Sequence, residues 1–269
     1  MNNKSKFKKC CIYHNQCLDG FAAAWAVRHA LGDDVDFYKG IHQQPPPDVN
    51  GLDVILVDFS YKKEVLNKML GSASSITILD HHVSAKNDLS ELLNSGKISG
   101  QFDMNKSGAM LAWQWFNPDQ QVPELIEYIQ DRDLWRFELK GTREIHAALS
   151  SYPYDFKLWD RLMASDKHEL AALKSDGEAI ERRLQKDITE LIASGVRRMT
   201  IGGYNVPVLN APSAYISDAG HIMSIGEPFA ACYWDHANGR SFSLRASEDG
   251  LAESDRFNTA VVSAAIIYK

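Results

Sequence analysis

The chain has 269 residues, 45% of them hydrophobic and 24% charged, with a net charge of -6. That is ordinary globular composition, large enough for one big domain or two modest ones. The acidic balance argues against bulk nucleic-acid binding by counterion release, though not against a small anionic substrate held through bound cations.

Residues 1–9 carry several lysines, but no apolar core of signal-peptide length follows, and no stretch reaches the length of a membrane span. The expectation is a cytoplasmic protein with no membrane partner. The four cysteines, Cys10, Cys11, Cys17 and Cys232, show no paired zinc-finger spacing and read as reduced thiols.

In chain order, residues 9–13 read as an apolar strand and 20–31 as an alanine-rich buried helix. A short strand at 35–38 follows, and the Pro45-Pro46-Pro47 run marks a loop. Residues 53–58 form the next strand, 62–70 a helix stopped by Gly71, and 75–80 a further strand. Residues 107–116 are helical with Ser107 as the N-cap, and 123–130 form a helix with proline in its first turn. Repeated strand–helix–strand units predict an α/β fold with a parallel, doubly wound sheet.

The character changes after Gly141. Residues 142–149 and 156–163 read as short helices. The span 168–193 is one long helix whose apolar positions recur at three- and four-residue steps, interrupted by Gly177 and ended by Gly195. From Val196 the chain is strand-rich, with strands at 197–201, 204–210, 229–234 and 241–245 and a helix at 214–225. The predicted division is therefore a first domain over 1–141, a helical connector over 142–195, and a smaller α/β domain over 196–269.

Three of the predicted strands end on chemistry. The first runs into His14 and then Asp19, the third ends on Asp58, and the fourth closes on Asp80-His81-His82. In an open parallel sheet the carboxyl ends of the strands form the ligand crevice. Carboxylates and imidazoles gathered there suit a pair of hard divalent cations, and such a pair supports phosphoryl transfer. Asp131 and Asp133, in Gln130-Asp131-Arg132-Asp133-Leu134-Trp135, extend the set. A single strand-end aspartate is as readily a cap or turn former as a ligand; the joint pattern is what points to a site.

These motifs, with His14-Asn15-Gln16-Cys17-Leu18-Asp19-Gly20, Val57-Asp58-Phe59-Ser60-Tyr61, Leu79-Asp80-His81-His82 and the segment Tyr128 to Trp135 in that order, resemble the DHH phosphoesterase superfamily. The branch they resemble is oligoribonuclease-like or exopolyphosphatase-related, with a substrate-binding accessory domain. The resemblance implies that Asp58 bridges two cations, usually Mn2+ with Mg2+ or other divalents as substitutes. It implies His14, Asp19, His81 and Asp131 as the other ligands. Asp80 is implied as an orienting residue beside the reaction, and His82 as the contact to the scissile phosphate or leaving group. Arg245, on a stretch that resembles the strand leading into that accessory domain's substrate loop, is expected either as a phosphate or nucleotide contact or equally as a solvated strand residue.

The implied activity is metal-dependent hydrolysis of short oligonucleotides or small nucleotide phosphoesters, exonuclease-like, in a cleft between the domains. A pyrophosphatase or exopolyphosphatase, or a non-catalytic phospho-ligand binder, is the alternative, and a homodimer is left open. The chain departs from the pattern in three places. Phe21 stands where many members carry a second aspartate, and Cys17 where others carry an acidic residue. A thiolate can hold a borderline metal such as zinc but suits manganese poorly, and Cys17 is equally open to a packing role. Past Gly250 no glycine-rich, histidine-bearing segment follows; either that substrate loop has been lost or the reading frame has changed.

Overall fold

The computed structural model describes residues 8–236 and 239–246. The chain divides into two compact units, Met1–Glu178 and Ala179–Lys269.

The first unit is built on a five-stranded sheet of β1 (Lys9–His14), β2 (Val35–Gly40), β3 (Asp53–Val57), β4 (Ser75–Asp80) and β5 (Ser99–Phe102). Its order is β2-β1-β3-β4-β5, every pair is parallel, and helices cover both faces. Because successive side chains point to opposite faces of a strand, the apolar runs divide cleanly between two cores. Cys11, Tyr13, Ile55, Val57 and Leu79 face one side, with α1 (Leu18–Leu31), α4 (Gly108–Phe116) and α5 (Glu124–Asp133). Cys10, Ile12, Val54, Leu56, Ile76 and Ile78 face the other, against Leu66 and Met69 of α2 (Lys63–Leu70) and Leu89 and Leu92 of α3 (Val83–Asn94). The doubly wound parallel architecture expected from the sequence is present; α3 and β5 are additions to the predicted elements.

Helix α1 is buried on all sides from Leu18 to Val27. Alanines at 22, 23, 24 and 26 let it pack between the sheet and α4 with little side-chain entropy lost. Its far end is tied down where the Trp25 indole N–H and the Arg28 guanidinium both donate to the Asp160 carboxylate. Asp160 lies on α7 (Phe156–Met163), which follows α6 (Thr142–Ser150). Ile145, Ala148 and Leu149 of α6, Trp159 of α7 and Leu170 and Leu173 of α8 (Lys167–Gly195) all add to the α1 side of the core. Residues expected in a connector thus complete the first core, and the division between units falls inside α8, which is uninterrupted at Gly177.

The second unit holds a four-stranded sheet in the order β6 (Arg197–Ile201), β7 (Tyr204–Asn210), β8 (Ala230–His236), β9 (Gly239–Arg245). The outer pairs are antiparallel and β7–β8 is parallel, the crossover being a 3-10 turn at Ser213–Tyr215 and α9 (Ile216–Ser224). Residues 247–269, which include the expected site of the glycine-rich segment and the apolar tail, lie outside the described residues. Among the described residues no helix is long and apolar enough to cross a membrane.

Candidate metal centre

The parallel register brings the carboxyl ends of β1, β3 and β4 to one edge, and the chemistry-bearing residues stand there. His14 is the last residue of β1, Asp80 the last of β4, and Asp58 follows β3 directly. Asp58 adopts a left-handed backbone (φ 51°) with its N–H donating to the Leu79 carbonyl at 3.0 Å. That conformation is uncommon for a residue with a side chain, and aspartate tolerates it better than most. It turns the carboxylate inward: Asp58 is 2% exposed.

The two oxygens of Asp58 face different neighbours. Oδ1 lies 3.2 Å from His81 Nε2, while Oδ2 lies 3.4 Å from His14 Nδ1. Among the described residues the His14 imidazole is the only ion-pair partner of Oδ2, and no hydrogen bond of ordinary geometry closes on that oxygen. His81 Nε2 also lies 4.0 Å from Asp19 Oδ2 and 3.5 Å from Asp133 Oδ2. Besides the group formed by Asp58 with Asp80, His81 and His82, two donor sets therefore adjoin Asp58. In the set His14, Cys17 and Asp58, and in the set Asp19, His81 and Asp133, the candidate ligand atoms lie within 4.8 Å of one another.

Two glycines make this convergence possible. A Cβ on Gly20 would stand 2.5 Å from the His14 carbonyl oxygen, so α1 can press against the end of β1 only through a bare backbone. A Cβ on Gly108 would stand 2.4 Å from Asp58 Cβ and 3.0 Å from Asp19 Oδ2. Gly108 opens α4, whose N-cap Ser107 accepts the Met110 N–H. The next two amides are satisfied from elsewhere: Gly108 N–H donates to Asp19 Oδ2 at 2.6 Å and Ala109 N–H to Oδ1 at 3.0 Å. Asp19 thus caps α4 while facing the cluster, an anion at the positive end of a helix.

Asp80 is fully buried and saturated. It accepts from Ser60 Oγ at 2.5 Å, from the His81 and His82 backbone N–H groups, and stands 2.6 Å from His82 Nδ1. This holds the His82 ring with Nδ1 engaged and Nε2 directed away from Asp80, on a side chain 38% exposed. The two adjacent imidazoles lie against each other, ring centroids 4.6 Å apart, yet have different partners: His81 Nε2 faces the Asp58 carboxylate and His82 Nδ1 faces Asp80.

The charges are crowded. Burial pushes the Asp19 carboxyl well above its ordinary range, and the nearby Asp58 and Asp133 push the same way. Burial would raise Asp58 too, but the His14 and His81 imidazoles outweigh it and hold it below the usual carboxylate range. Burial opposes a charged His81, yet Asp58, Asp133 and Asp19 carry its pKa up to about 10. His82 rises to about 9 against the same penalty, through Asp80. Burial and the three carboxylates push the Cys17 thiol well up. A buried pocket this rich in anionic groups, with one carboxylate oxygen making no hydrogen bond of ordinary geometry, is chemically suited to divalent cations.

One expected ligand is displaced. The Asp131 carboxylate is buried away from the cluster, where it accepts the N–H groups of Glu138 at 2.9 Å and Leu139 at 3.1 Å and the Thr142 hydroxyl. It anchors the turn after α5, and Asp133 is the carboxylate that reaches His81. The reason is helix phase. The helix was expected to stop at residue 130, but α5 runs to Asp133. Residues two apart on a helix point about 200° apart, whereas Asp133 follows the buried Ile126 and Ile129 at steps of three and four.

Phe21 is not a lost ligand. It lies one helical half-turn from Asp19, 2% exposed, stacked on Phe156 at 4.8 Å and edge-on to Trp159 at 4.9 Å. Cys17 is the departure that stands beside the cluster. Sequence reasoning also missed His42. Strand β2 continues to Gly40, two residues past its predicted end, and so carries His42 to the same edge, its ring 5.4 Å from that of His14. Arg245 ends β9 in the second unit, opposite Ala230 of β8. Of the tryptophans, Trp113 and Trp159 are core residues and Trp115 is exposed.

No protein-family model matches the chain. The uncharacterized protein R106 of Acanthamoeba polyphaga mimivirus is 27% identical over 278 residues, covering 94% of this chain and 63% of the viral protein. The chain thus spans less than two thirds of that curated relative's length. Among solved structures, an uncharacterized protein of Helicobacter pylori G27 aligns with a TM-score of 0.47 at 13% identity, covering 90% of this chain and 86% of that one. The DHH domain of a member of the S1p family of ribosomal proteins aligns with a TM-score of 0.47 at 12% identity, covering 90% of this chain and 74% of that one.

Proposed function

We propose that this chain is a divalent-metal-dependent phosphoesterase of the DHH type, hydrolysing short oligonucleotides or small nucleotide phosphoesters. The order of the four motifs supports the reading, and Asp58 carries it: a buried carboxylate whose two oxygens face two separate donor sets, one oxygen without a hydrogen bond of ordinary geometry. His14 and Asp58 would hold one cation; Asp19, His81 and Asp133 would hold another, with Asp58 shared between them. Such ions, when bound, polarise phosphoryl oxygens and make water a nucleophile at neutral pH.

The chain's own residues supply the rest. Asp19 is fixed by the two amides of α4, so its carboxylate enters the site without a large ordering cost. Asp80 fixes the His82 ring, leaving Nε2 to donate to a phosphate oxygen or to the departing oxygen.

The test is a panel of short RNA, a dinucleotide, pyrophosphate and polyphosphate with Mn2+ or Mg2+, run on the wild-type chain and on Asp58→Asn. The expected result is hydrolysis of the RNA or dinucleotide by wild type and its loss in a folded variant that no longer binds two cations. Turnover confined to pyrophosphate or polyphosphate would overturn the phosphoester assignment. Full activity in Asp58→Asn would overturn the two-cation site itself.

A further inference from the structure

The two donor sets beside Asp58 differ in chemistry. Asp19, His81 and Asp133 offer oxygen and nitrogen only, whereas His14, Cys17 and Asp58 offer nitrogen, sulfur and oxygen. Hard cations such as Mg2+ and Mn2+ favour oxygen; thiolate favours zinc and its borderline neighbours, and a three-residue protein set with an open fourth position is a common catalytic zinc arrangement.

Two further observations separate Cys17 from a packing residue. The other three cysteines are buried in the cores, Cys10 and Cys11 on the two faces of β1 and Cys232 in the second unit, while Cys17 is only partly buried. Cys17 also occupies the N-cap of α1 in an extended conformation, where Ser, Thr, Asp or Asn would normally cap, and its sulfur stands between the Gly20 backbone N–H and the carboxylate cluster. Beside it stands Asp58, 2% exposed, whose Oδ2 makes no hydrogen bond of ordinary geometry and has the His14 imidazole at 3.4 Å.

We propose that Cys17 is a metal ligand, so that the His14–Cys17–Asp58 position selects a thiophilic divalent cation such as zinc while the Asp19–His81–Asp133 position takes a harder one. The proposal rests on the two-cation reading above and adds the identity of one ion. On binding, the sulfur exchanges its proton for the cation and the proton leaves to solvent.

The experiment uses the full chain stripped with a chelator and reloaded with Co2+, Zn2+ or Mn2+, as wild type, Cys17→Ser and Cys17→Asp. Wild type with Co2+ is expected to show a sulfur-to-cobalt charge-transfer absorption in the near ultraviolet, absent from Cys17→Ser. Zinc affinity should fall in Cys17→Ser by more than the about 100-fold that is the upper cost of losing an outer-shell partner. Cys17→Asp should shift preference toward Mn2+. Bound cobalt without that absorption in wild type, or zinc affinity unchanged in Cys17→Ser, would overturn the Cys17 assignment while leaving the two-cation reading intact. Failure of wild type to bind any divalent cation would overturn both.

Discussion

Replacing Gly108 by alanine tests whether the site depends on a backbone contact. Gly108 has no positive φ and opens a helix, so alanine adopts its conformation freely and gains up to about 1 kcal/mol of helix propensity. The new methyl, however, would stand 2.4 Å from Asp58 Cβ and 2.9 Å from Asp58 Cα. Ordinary contact needs at least 3.4 Å, so α4 and the Asp58 turn must separate by about 1 Å. Overpacking of that kind costs about 1–3 kcal/mol. With the full propensity gain, the net loss is at most about 2 kcal/mol, which lowers Tm by up to roughly 8 °C for a unit of this size. The displacement falls on Asp58 and on the Asp19 hydrogen bonds, and a misplacement of about 1 Å costs on the order of 100-fold in turnover. Thermal denaturation, calorimetric Mn2+ binding and hydrolysis of a dinucleotide on the same preparation separate the two effects. A variant that binds cations as wild type does and turns over within about threefold of it would refute the claim that this contact sets the geometry.

Asp131→Ala should destabilise the first unit by about 1–3 kcal/mol, since it removes the acceptor of the Glu138 and Leu139 amides, while the Thr142 hydroxyl keeps the Leu139 carbonyl at 3.0 Å. Circular dichroism melting should show a Tm roughly 2–12 °C lower, and a fall under about 2 °C would remove Asp131 as the anchor of that turn. Phe21→Asp should cost about 4 kcal/mol or more by burying a charge among Phe156, Tyr154 and Trp159. Added Mn2+ should not rescue it; a stably folded variant holding one more cation per chain would show that position 21 does face the site.

The fold of the first unit was legible because its strands are short apolar runs buried on both faces, separated by helix-length segments. Residues 75–80 illustrate this: Ile76 and Ile78 enter one core and Leu79 the other, and the strand matches its predicted bounds. Strand β5, Ser-Gly-Gln-Phe, was not legible, because it is a short edge strand with no apolar run. The site was legible where a carboxylate or imidazole sits directly at a strand end, as Asp58 and His81 do. It was misread where a helix intervenes, because the choice between Asp131 and Asp133 depends on knowing that α5 continues through both. His42 was missed for a similar reason: it belongs to a loop, and its approach to His14 follows from the length of β2. Gly108 carried no signal at all, since its meaning lies in a contact with Asp58 fifty residues away in sequence.

The Asp58 pocket also constrains the order of events as the chain folds. Its groups come from β1, α1, β3, β4 and α5, so none of the donor sets is complete within a single local segment. Parallel pairing across β1, β3 and β4 closes long loops and must precede any of these approaches. A divalent ion bound there would therefore act on the finished sheet rather than as a nucleus for it, slowing unfolding and leaving the folding rate nearly untouched.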